Sequence, residues 1–263
     1  MSPARVALVT GAARGIGAAT VRRLVHEGYR VTALDWCLGD EGPTPYPQGH
    51  RAQLDALAAE YDGLVASVVA DVRDRAALED AVARSLSDWG RLDAVVAAAA
   101  VMAGGPLLWE TPANDLDLLW DVDVRGVWNC AAAAVPAMLS GADPAGCRFV
   151  AVASAAGDRG LHRLAAYTTA KHAVVGLVRA LAADLVGTGV TAAVVSPGST
   201  RTDMLEHTAD LYALTDTEEF AQSQLVRRLL EPEEIAATIA FCCSREGAAV
   251  NGSVVHADGG FTG

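Results

Sequence analysis

The stretch of sequence that decides the fold reads Val6-Ala-Leu-Val-Thr10-Gly11-Ala-Ala-Arg14-Gly15-Ile16-Gly17. It begins with a short apolar run that is typical of a buried strand, continues with a glycine-rich turn, and leads into apolar residues at helical spacing. Glycine lets the backbone turn tightly and approach a phosphate, and the first turn of the following helix offers free N–H groups and the positive end of the helix dipole. The stretch therefore predicts a strand–turn–helix unit that binds a dinucleotide pyrophosphate through Gly11, Arg14, Gly15, Ile16 and Gly17.

The alternation of strand and helix continues along the whole chain. Six further runs rich in β-branched residues lie at 30–34, 65–70, 93–97, 148–153, 190–195 and 253–256, and helical periodicity marks 17–27, 75–89, 116–139, 167–186 and 232–243. Strands that are apolar throughout and alternate with helices are typical of a parallel sheet covered on both faces. We therefore predict an α/β fold: one Rossmann-type domain over residues 1–263, with a doubly wound parallel sheet of about seven strands flanked by helices on both faces.

The composition excludes several classes of function. The 263 residues are 52% apolar, yet no stretch reaches the roughly 18 uninterrupted apolar residues of a membrane-spanning helix. The 32 acidic residues outnumber the 20 basic ones, and the net charge of −12 would repel nucleic acid. The five cysteines and six histidines lack metal-ligand spacing, and residues 1–5 lack the features of a secretory signal. We expect reduced thiols, no metal, no nucleic-acid or membrane partner, and a cytoplasmic location.

Two acidic positions bear on the choice of cofactor. Asp35 ends the second predicted strand, 18 residues beyond Gly17, where a carboxylate accepts hydrogen bonds from ribose hydroxyls and repels a 2′-phosphate. This favours NAD(H) over NADP(H), although Arg14 could meet a phosphate; the alternative for Asp35 is a solvated acid at a strand end. Asp71 and Val72 follow the third strand and are placed to touch adenine, although an Asp there could equally cap the next helix.

The candidate catalytic residues lie on one helix and at one strand end. Tyr167 and Lys171 are four residues apart, so they project from the same face of a helix, and Lys171 is the only lysine among the 20 basic residues. A neighbouring cation favours the phenolate and lowers the pKa of a tyrosine towards the range of a general base. Ser154 follows the fifth apolar run and would hold the substrate oxygen while Tyr167 exchanges the proton. The alternative is an ordinary surface helix.

These motifs, in this order, resemble the classical short-chain dehydrogenase/reductases over essentially the whole chain. The resemblance adds Pro197-Gly198 with Thr200 and Thr202, and the closing Asp258-Gly259-Gly260. It implies that Tyr167 and Lys171 also contact the cofactor, that the segment after Pro197 covers the nicotinamide, and that a substrate loop at 203–225 closes over the substrate. It also implies a homotetramer assembled through the alanine-rich helices at 131–137 and 173–183, unless those alanines pack only within one subunit.

Two departures from the family pattern stand close to the expected site. Where the family usually has Asn-Asn-Ala-Gly, residues 97–100 are all alanine, so we expect apolar packing to replace a bracing amide and Ala98 and Ala99 to lie against the cofactor. At Asp123 the family normally carries a catalytic asparagine whose backbone carbonyl holds a water. The backbone role survives the change, so Asp123 joins the candidate catalytic residues, and its carboxylate could pair with Lys171 and alter the titration of Tyr167.

An insert at residues 36–50, rich in proline and glycine, begins directly behind Asp35, which places Trp36 at the adenosine half of the cofactor. The insert and the alanine run resemble the mycofactocin-associated subgroup, which implies that NAD stays bound and is reoxidised in place by a mycofactocin-type carrier. A proline-stiffened flap would lose little entropy on closing and would slow cofactor release. The alternative is a loose surface excursion.

The leading hypothesis is therefore an NAD-dependent oxidoreductase that interconverts an apolar secondary alcohol and a ketone. We expect its pocket to be lined by apolar neighbours, namely Leu161, Leu164, Met204, Leu205 and Trp109. The alternative is a non-catalytic NAD(H)-binding redox sensor or scaffold, which an intact Ser154, Tyr167 and Lys171 oppose. A dehydratase or epimerase would need a larger substrate domain.

Overall fold

Seven strands form the centre of the domain in the computed structural model, which describes residues 4–262. Their bounds are β1 Val6–Thr10, β2 Arg30–Asp35, β3 Val65–Val69, β4 Ala94–Ala97, β5 Arg148–Val152, β6 Thr191–Pro197 and β7 Val254–Ala257. They make one sheet in the order β3-β2-β1-β4-β5-β6-β7, and every neighbouring pair is parallel. The predicted Rossmann-type parallel sheet is confirmed.

Helices cover both faces of this sheet. Their bounds are α1 Gly15–His26, α2 Arg51–Ala59, α3 Arg75–Trp89, α4 Ala113–Leu119, α5 Gly126–Ser140, α6 Ala165–Asp184, α7 Asp203–Leu211 and α8 Pro232–Cys243. Along β1 the side chains alternate, so Val6 and Leu8 join one core cluster with α3, α5 and α6, while Ala7 and Val9 join the other with α1, α2 and α8. The strands are apolar throughout because both faces are buried.

The helix predicted over 116–139 is interrupted. Between α4 and α5 the residues Trp120–Arg125 form a π-helical stretch, which adds an extra residue to the turn and is frequent at functional sites. Helices α2 and α7 were not predicted from the sequence. Only Leu54 and Leu57 are buried on α2, and α7 lies in a polar segment whose burial depends on contacts with distant parts of the chain. In residues 4–262 no helix combines the length and the apolarity needed to cross a bilayer.

The crevice that can hold a ligand lies where the strand order reverses. From β1 the chain builds β2 and β3 on one side of the sheet. It then returns to the centre and places β4 on the other side of β1. The connections that follow β1 and β4 therefore run in opposite directions and leave a crevice between them. At this point Gly11 has a φ of +67°, and a Cβ there would lie 2.8 Å from the Cα of Ala99. The turn after β1 therefore requires glycine for both its backbone conformation and its close contact.

Candidate active site

A cavity of about 610 Å³ opens along the carboxyl ends of the strands, and it has the size of a site for a small molecule or cofactor. Most of the predicted site residues border it: Gly11, Arg14, Gly15, Ile16, Gly17, Asp35, Trp36, Val72, Ala98, Ala99, Ser154, Tyr167, Lys171, Pro197, Gly198, Thr200 and Thr202. Asp71 and Asp123 do not border it. The predicted residues come from the ends of six strands and from α6, so only the assembled sheet brings them together.

The amino-terminal end of α1 faces the cavity through the glycine-rich turn. A Cβ on Gly17 would lie 1.9 Å from the backbone oxygen of Gly11, so this turn too admits only glycine. The guanidinium of Arg14 is held by Asp203 at the start of α7, with 2.5 Å between Nη1 and Oδ2. The Asp203 carboxylate therefore competes with a 2′-phosphate for the Arg14 guanidinium.

Asp35 is buried at the end of β2, which excludes the solvated-acid alternative. Its Oδ2 accepts the backbone N–H of Ala13 and its Oδ1 accepts that of Cys37, each at 3.0 Å. Gly49 passes so close that a Cβ there would lie 3.1 Å from Oδ1. The carboxylate is therefore fixed in orientation, and each oxygen keeps a lone pair that can accept a hydroxyl hydrogen bond.

At the end of the cavity where adenine is expected, Val72 lies as predicted but the Asp71 side chain does not. Val72 borders the cavity, but the carboxylate of Asp71 accepts hydrogen bonds from Arg73, with 2.6 Å between its Oδ2 and Nη2, and points to that partner. The next helix is capped by Asp74, whose Oδ1 accepts from the backbone of Ala76. The guanidinium of Arg73 lies 5.6 Å from the ring centre of Trp36, which forms the other wall. Adenine contact by the backbone at Asp71 stays a prediction.

The insert at residues 36–50, which we call the strap, closes on itself and packs over the cavity. Leu38 pairs with His50 as an antiparallel bridge, and the side chain of Gln48 donates to the Thr44 hydroxyl at 2.7 Å. Tyr46 is only 8% exposed, and its hydroxyl accepts the backbone N–H of Met102 at 2.9 Å. A loose surface excursion would leave this ring in solvent, so the packing supports the flap interpretation.

The strap also contacts α7, which lies in the segment predicted to be the substrate loop. The ring of Tyr46 stacks on that of His207 in α7, with centroids 4.4 Å apart and planes 17° apart. Burial lowers the pKa of His207, and the nearby Asp210 raises it by less, so the imidazole is kept neutral. The strap and α7 are thus joined by an aromatic contact.

Ser154, Tyr167 and Lys171 come together at the end of β5 as the sequence predicted. The Ser154 oxygen accepts the N–H of Ala156 at 3.1 Å, which leaves the hydroxyl proton free to donate. Tyr167 and Lys171 project from one face of α6, and the Lys171 Nζ lies 5.3 Å from the centre of the tyrosine ring. All three border the cavity, so a ligand oxygen placed there can reach a serine donor and a phenol beside a cation.

The net pKa shift of Tyr167 differs from the expectation. Burial raises this pKa, and the Asp123 carboxylate raises it further, while Lys171 and the Ser154 hydroxyl lower it; the net shift is upward. The sequence argument identified the lysine's effect and its sign but had no measure of burial. In the protein alone, therefore, the phenol is the stable form.

Asp123 lies in the π-helical stretch and is fully buried beside Lys171. Its Oδ2 is 2.9 Å from the Lys171 Nζ, and its Oδ1 accepts the N–H of Val101 at 2.9 Å. Burial raises the pKa of the Asp123 carboxyl, with Lys171 opposing it. Burial lowers the pKa of Lys171, but Asp123 and Tyr167 offset this and raise it overall. The pairing with Lys171, one option in the sequence argument, is present as a buried ion pair.

The alanine run after β4 is braced by a polar group that the sequence argument missed. The Thr10 hydroxyl oxygen at the end of β1 accepts the N–H groups of Ala98 and Ala99, at 3.1 and 3.2 Å. The Thr10 hydroxyl therefore supplies a polar contact to this run, and the replacement of the missing amide by apolar packing stays a prediction. This contact could be predicted only by knowing that β1 and β4 are neighbours in the sheet.

The remaining end of the cavity is mostly apolar. Leu161, Leu164, Met204 and Leu205 border it as expected, but Trp109 is 77% exposed and does not, so its inclusion was wrong. Side chains from further segments complete this wall, and sequence reasoning missed them: Met102, Tyr212, Leu214, Phe220 and Phe261. Phe261 reaches the site because Gln224 pairs with it as an antiparallel bridge, a contact between distant residues that no local pattern signals.

The fold and this site define a dinucleotide-binding oxidoreductase, and comparisons with known proteins identify its family. Residues 11–262 match a family model described as enoyl-(acyl carrier protein) reductase. The chain is 32% identical to the (−)-trans-carveol dehydrogenase of Rhodococcus erythropolis, over 98% of this chain and 97% of the relative. The chain belongs to the short-chain dehydrogenase/reductase family.

Two other similar proteins have names that mention the cofactor. An NAD-dependent oxidoreductase of Mycobacterium tuberculosis is 32% identical, over 97% of this chain and 95% of its own length. The crystal structure of a carveol dehydrogenase from Mycobacterium avium in complex with NAD superimposes with a TM-score of 0.90 and 29% identity, and the match covers 98% of each chain. The likeness thus extends over the whole domain, including the segment that contains the strap.

Proposed function

We propose that this protein is an NAD(H)-dependent oxidoreductase that interconverts an apolar secondary alcohol and its ketone, with Tyr167 as general acid and base. One observation carries the proposal: Ser154, Tyr167 and Lys171 meet in one cavity beside a preformed dinucleotide cradle. Its relatives named for carveol oxidation and for NAD support the same reaction class and cofactor.

The residues present fit NAD(H). Gly11 and Gly17 leave a cradle that a Cβ would fill, Asp35 presents a fixed carboxylate for the ribose hydroxyls, and Arg14 is held by Asp203. Pro197, Gly198, Thr200 and Thr202 border the opposite end, where the nicotinamide would lie. When bound, NAD⁺ supplies a hydride acceptor and a positive charge beside the phenol.

Three side chains of the protein then have separate roles in the oxidation of the alcohol. Ser154 donates its hydroxyl proton to the substrate oxygen and orients it, and Tyr167 removes the hydroxyl proton as the carbinol carbon loses a hydride. Lys171 stabilises the phenolate by its charge, which is effective because the site is buried. In the reverse direction Tyr167 returns the proton to the ketone oxygen.

The wall of the substrate end favours a compact apolar substrate. Met102, Leu161, Leu164 and Phe220 offer apolar surface, while Ser154 and Tyr167 are the polar groups at the reacting centre. Burial of apolar substrate surface against such a wall contributes roughly 25 cal/mol per Å² to the free energy of binding. A charged substrate would find few partners there. A cyclic terpenoid alcohol has this character, and the two relatives named carveol dehydrogenase support that class.

The strap supports slow exchange of the cofactor. It covers the cavity from Asp35 to the loop after β4. Within the strap, the Tyr46 hydroxyl accepts a hydrogen bond from Met102, and the Tyr46 ring stacks on His207. NAD held in this way would be reoxidised in place, and a mycofactocin-type redox carrier is the partner we propose for that step. Extensive dialysis followed by an ultraviolet spectrum tests this, because cofactor that washes out freely contradicts retention.

Exposed apolar side chains around α4 and α5 support assembly into the predicted homotetramer. Leu116, Trp120, Trp128 and Leu139, which lie on α4, the π-helical stretch and α5, are 41%, 43%, 63% and 41% exposed. Such a concentration of large apolar residues is typical of a protein–protein interface. Light scattering on the purified protein tests it, and a monomer at micromolar concentration would contradict it. The cytoplasmic location also stays a prediction.

The proposed chemistry is tested by Tyr167→Phe on a panel of carveol, cyclohexanol and 2-octanol, with an artificial electron acceptor present. We expect activity to fall by at least about 100-fold, because a positioned general base contributes about 10²–10⁴ in rate. Tyr61→Phe is the matched control, since Tyr61 lies between α2 and β3 and does not border the cavity. Turnover retained by Tyr167→Phe refutes the role of Tyr167, and absence of any turnover by the wild type would favour the sensor or scaffold alternative.

A further inference from the structure

Asp123 is a buried acid whose side chain the proposed reaction does not yet use. The residue is 1% exposed, and neither carboxylate oxygen contacts solvent-facing groups: Oδ1 accepts from Val101, and Oδ2 faces Lys171 at 2.9 Å. The backbone loop above it is fixed as well, since the next amide, that of Met102, donates to Tyr46 of the strap. The ion pair is thus enclosed between α6, the π-helical stretch and the strap.

We propose that the Asp123 carboxylate stores the proton that the reaction removes from the alcohol, and that it receives this proton through Lys171. This inference rests on the proposed function. In that role Asp123 is a positioning residue, because it touches neither the substrate nor the cofactor and acts on Tyr167 through the ammonium group.

The balance of charge in the buried site supports this assignment. Before oxidation the cluster holds a neutral phenol, an ammonium and a carboxylate, so its net charge is zero. The substrate hydroxyl proton goes to Tyr167 as the phenol proton passes on to Lys171, and Lys171 gives a proton to Asp123, which becomes a neutral carboxylic acid. The carbinol carbon loses a hydride with its electron pair, and a bound NAD⁺ would accept it, so that the nicotinamide ring would lose its positive charge.

The cluster gains one positive charge in this step, and the nicotinamide ring loses one, so the total charge of the enclosed site does not change. An asparagine at position 123 could not accept the proton. With asparagine there, the total charge of the enclosed site would change during the reaction, because the proton would have to leave for solvent. Because changing the net charge of a buried site is costly, the carboxylate favours retention of the proton.

The titratable groups that face Asp123 are few. From α6 they are Lys171 and Tyr167, and from the strap the phenol of Tyr46, whose pKa Asp123 raises and which in turn raises that of Lys171. Asp121 and Arg125, on the same π-helical stretch, pair with each other at the surface, with side chains 44% and 57% exposed. Asp121→Asn is therefore a matched control that makes the same chemical change in the same stretch.

Infrared difference spectroscopy tests the proposal without any turnover, by comparing the enzyme bound to NADH with the enzyme bound to NAD⁺. We expect a protonated-carboxyl stretching band to appear with NADH in the wild type and in Asp121→Asn, and to be absent in Asp123→Asn. Labelling all aspartates with ¹³C must shift the band, which assigns it to an aspartate even if Asp123→Asn does not fold. The same carboxylate band in both cofactor states of the wild type would overturn the proposal.

The pH dependence of alcohol oxidation provides the second readout. Removing the negative charge beside Lys171 favours the phenolate, so the pH midpoint of kcat/KM should fall by about one unit or more in Asp123→Asn. A merely structural role would lower activity without moving the midpoint. A wild type that oxidises no alcohol refutes the proposed reaction but leaves the infrared result standing, so the two failures are distinguishable.

Discussion

Replacing Tyr46 with alanine should release the strap and speed the dissociation of NAD(H). The substitution removes the acceptor for the Met102 N–H and the stack on His207. A buried hydrogen bond contributes about 1 kcal/mol net, and an aromatic pair adds about 1 kcal/mol. If the closed strap loses about 2 kcal/mol, the dissociation rate rises about 30-fold, because about 1.4 kcal/mol corresponds to a factor of ten.

Tyr46→Phe separates the two contributions. It keeps the ring that stacks on His207 and removes only the hydroxyl, so we expect an increase of about fivefold. Stopped-flow fluorescence of bound NADH, chased with excess NAD⁺, measures the rate, and Tyr61→Phe is the control for a tyrosine outside the cavity. If Tyr46→Ala folds with unchanged thermal stability and releases NADH at the wild-type rate, the strap does not retain the cofactor.

Three further predictions concern the cofactor end and the loop contact. Asp35→Asn should raise the Kd for NADH by about tenfold or more, since a hydrogen bond to a charged acceptor contributes about 1.5–3 kcal/mol. NADPH affinity measured by the same titration should improve only when Asp203→Asn also frees Arg14. Gly11→Ala should abolish NADH binding, because its Cβ would lie 2.8 Å from the Ala99 backbone; tight binding by calorimetry would contradict this. Burial lowers the pKa of His207, so protonation favours the open loop, and NADH release should accelerate as the pH falls below about 6.5. The acceleration should vanish in His207→Asn, and an equal pH dependence in both proteins would count against the stack.

Local patterns were sufficient for the helices whose apolar positions repeat regularly. The bounds predicted for α3, α8 and β1 match those of the structure, and each bound of the other strands lies within two residues of the prediction. The π-helical stretch around Asp123 was not predictable, because its extra residue leaves the average periodicity of 116–139 helical. Helix α7 was missed because its polar sequence was interpreted as a loop, whereas in the structure it forms a helix beside the cavity.

The sequence by itself determined the seven strands, most of the helices between them, the glycine-rich turn, and the placement of Tyr167 and Lys171 on one face of α6, because each depends on residues close together in the chain. Only the tertiary structure decided that Asp123 pairs with Lys171, that Tyr46 stacks on His207, and that Phe261 closes the substrate end. It also decided the direction of the Tyr167 pKa shift, since burial depends on everything packed around the phenol. Such contacts join residues far apart in the chain, and their geometry exists only once the sheet has assembled.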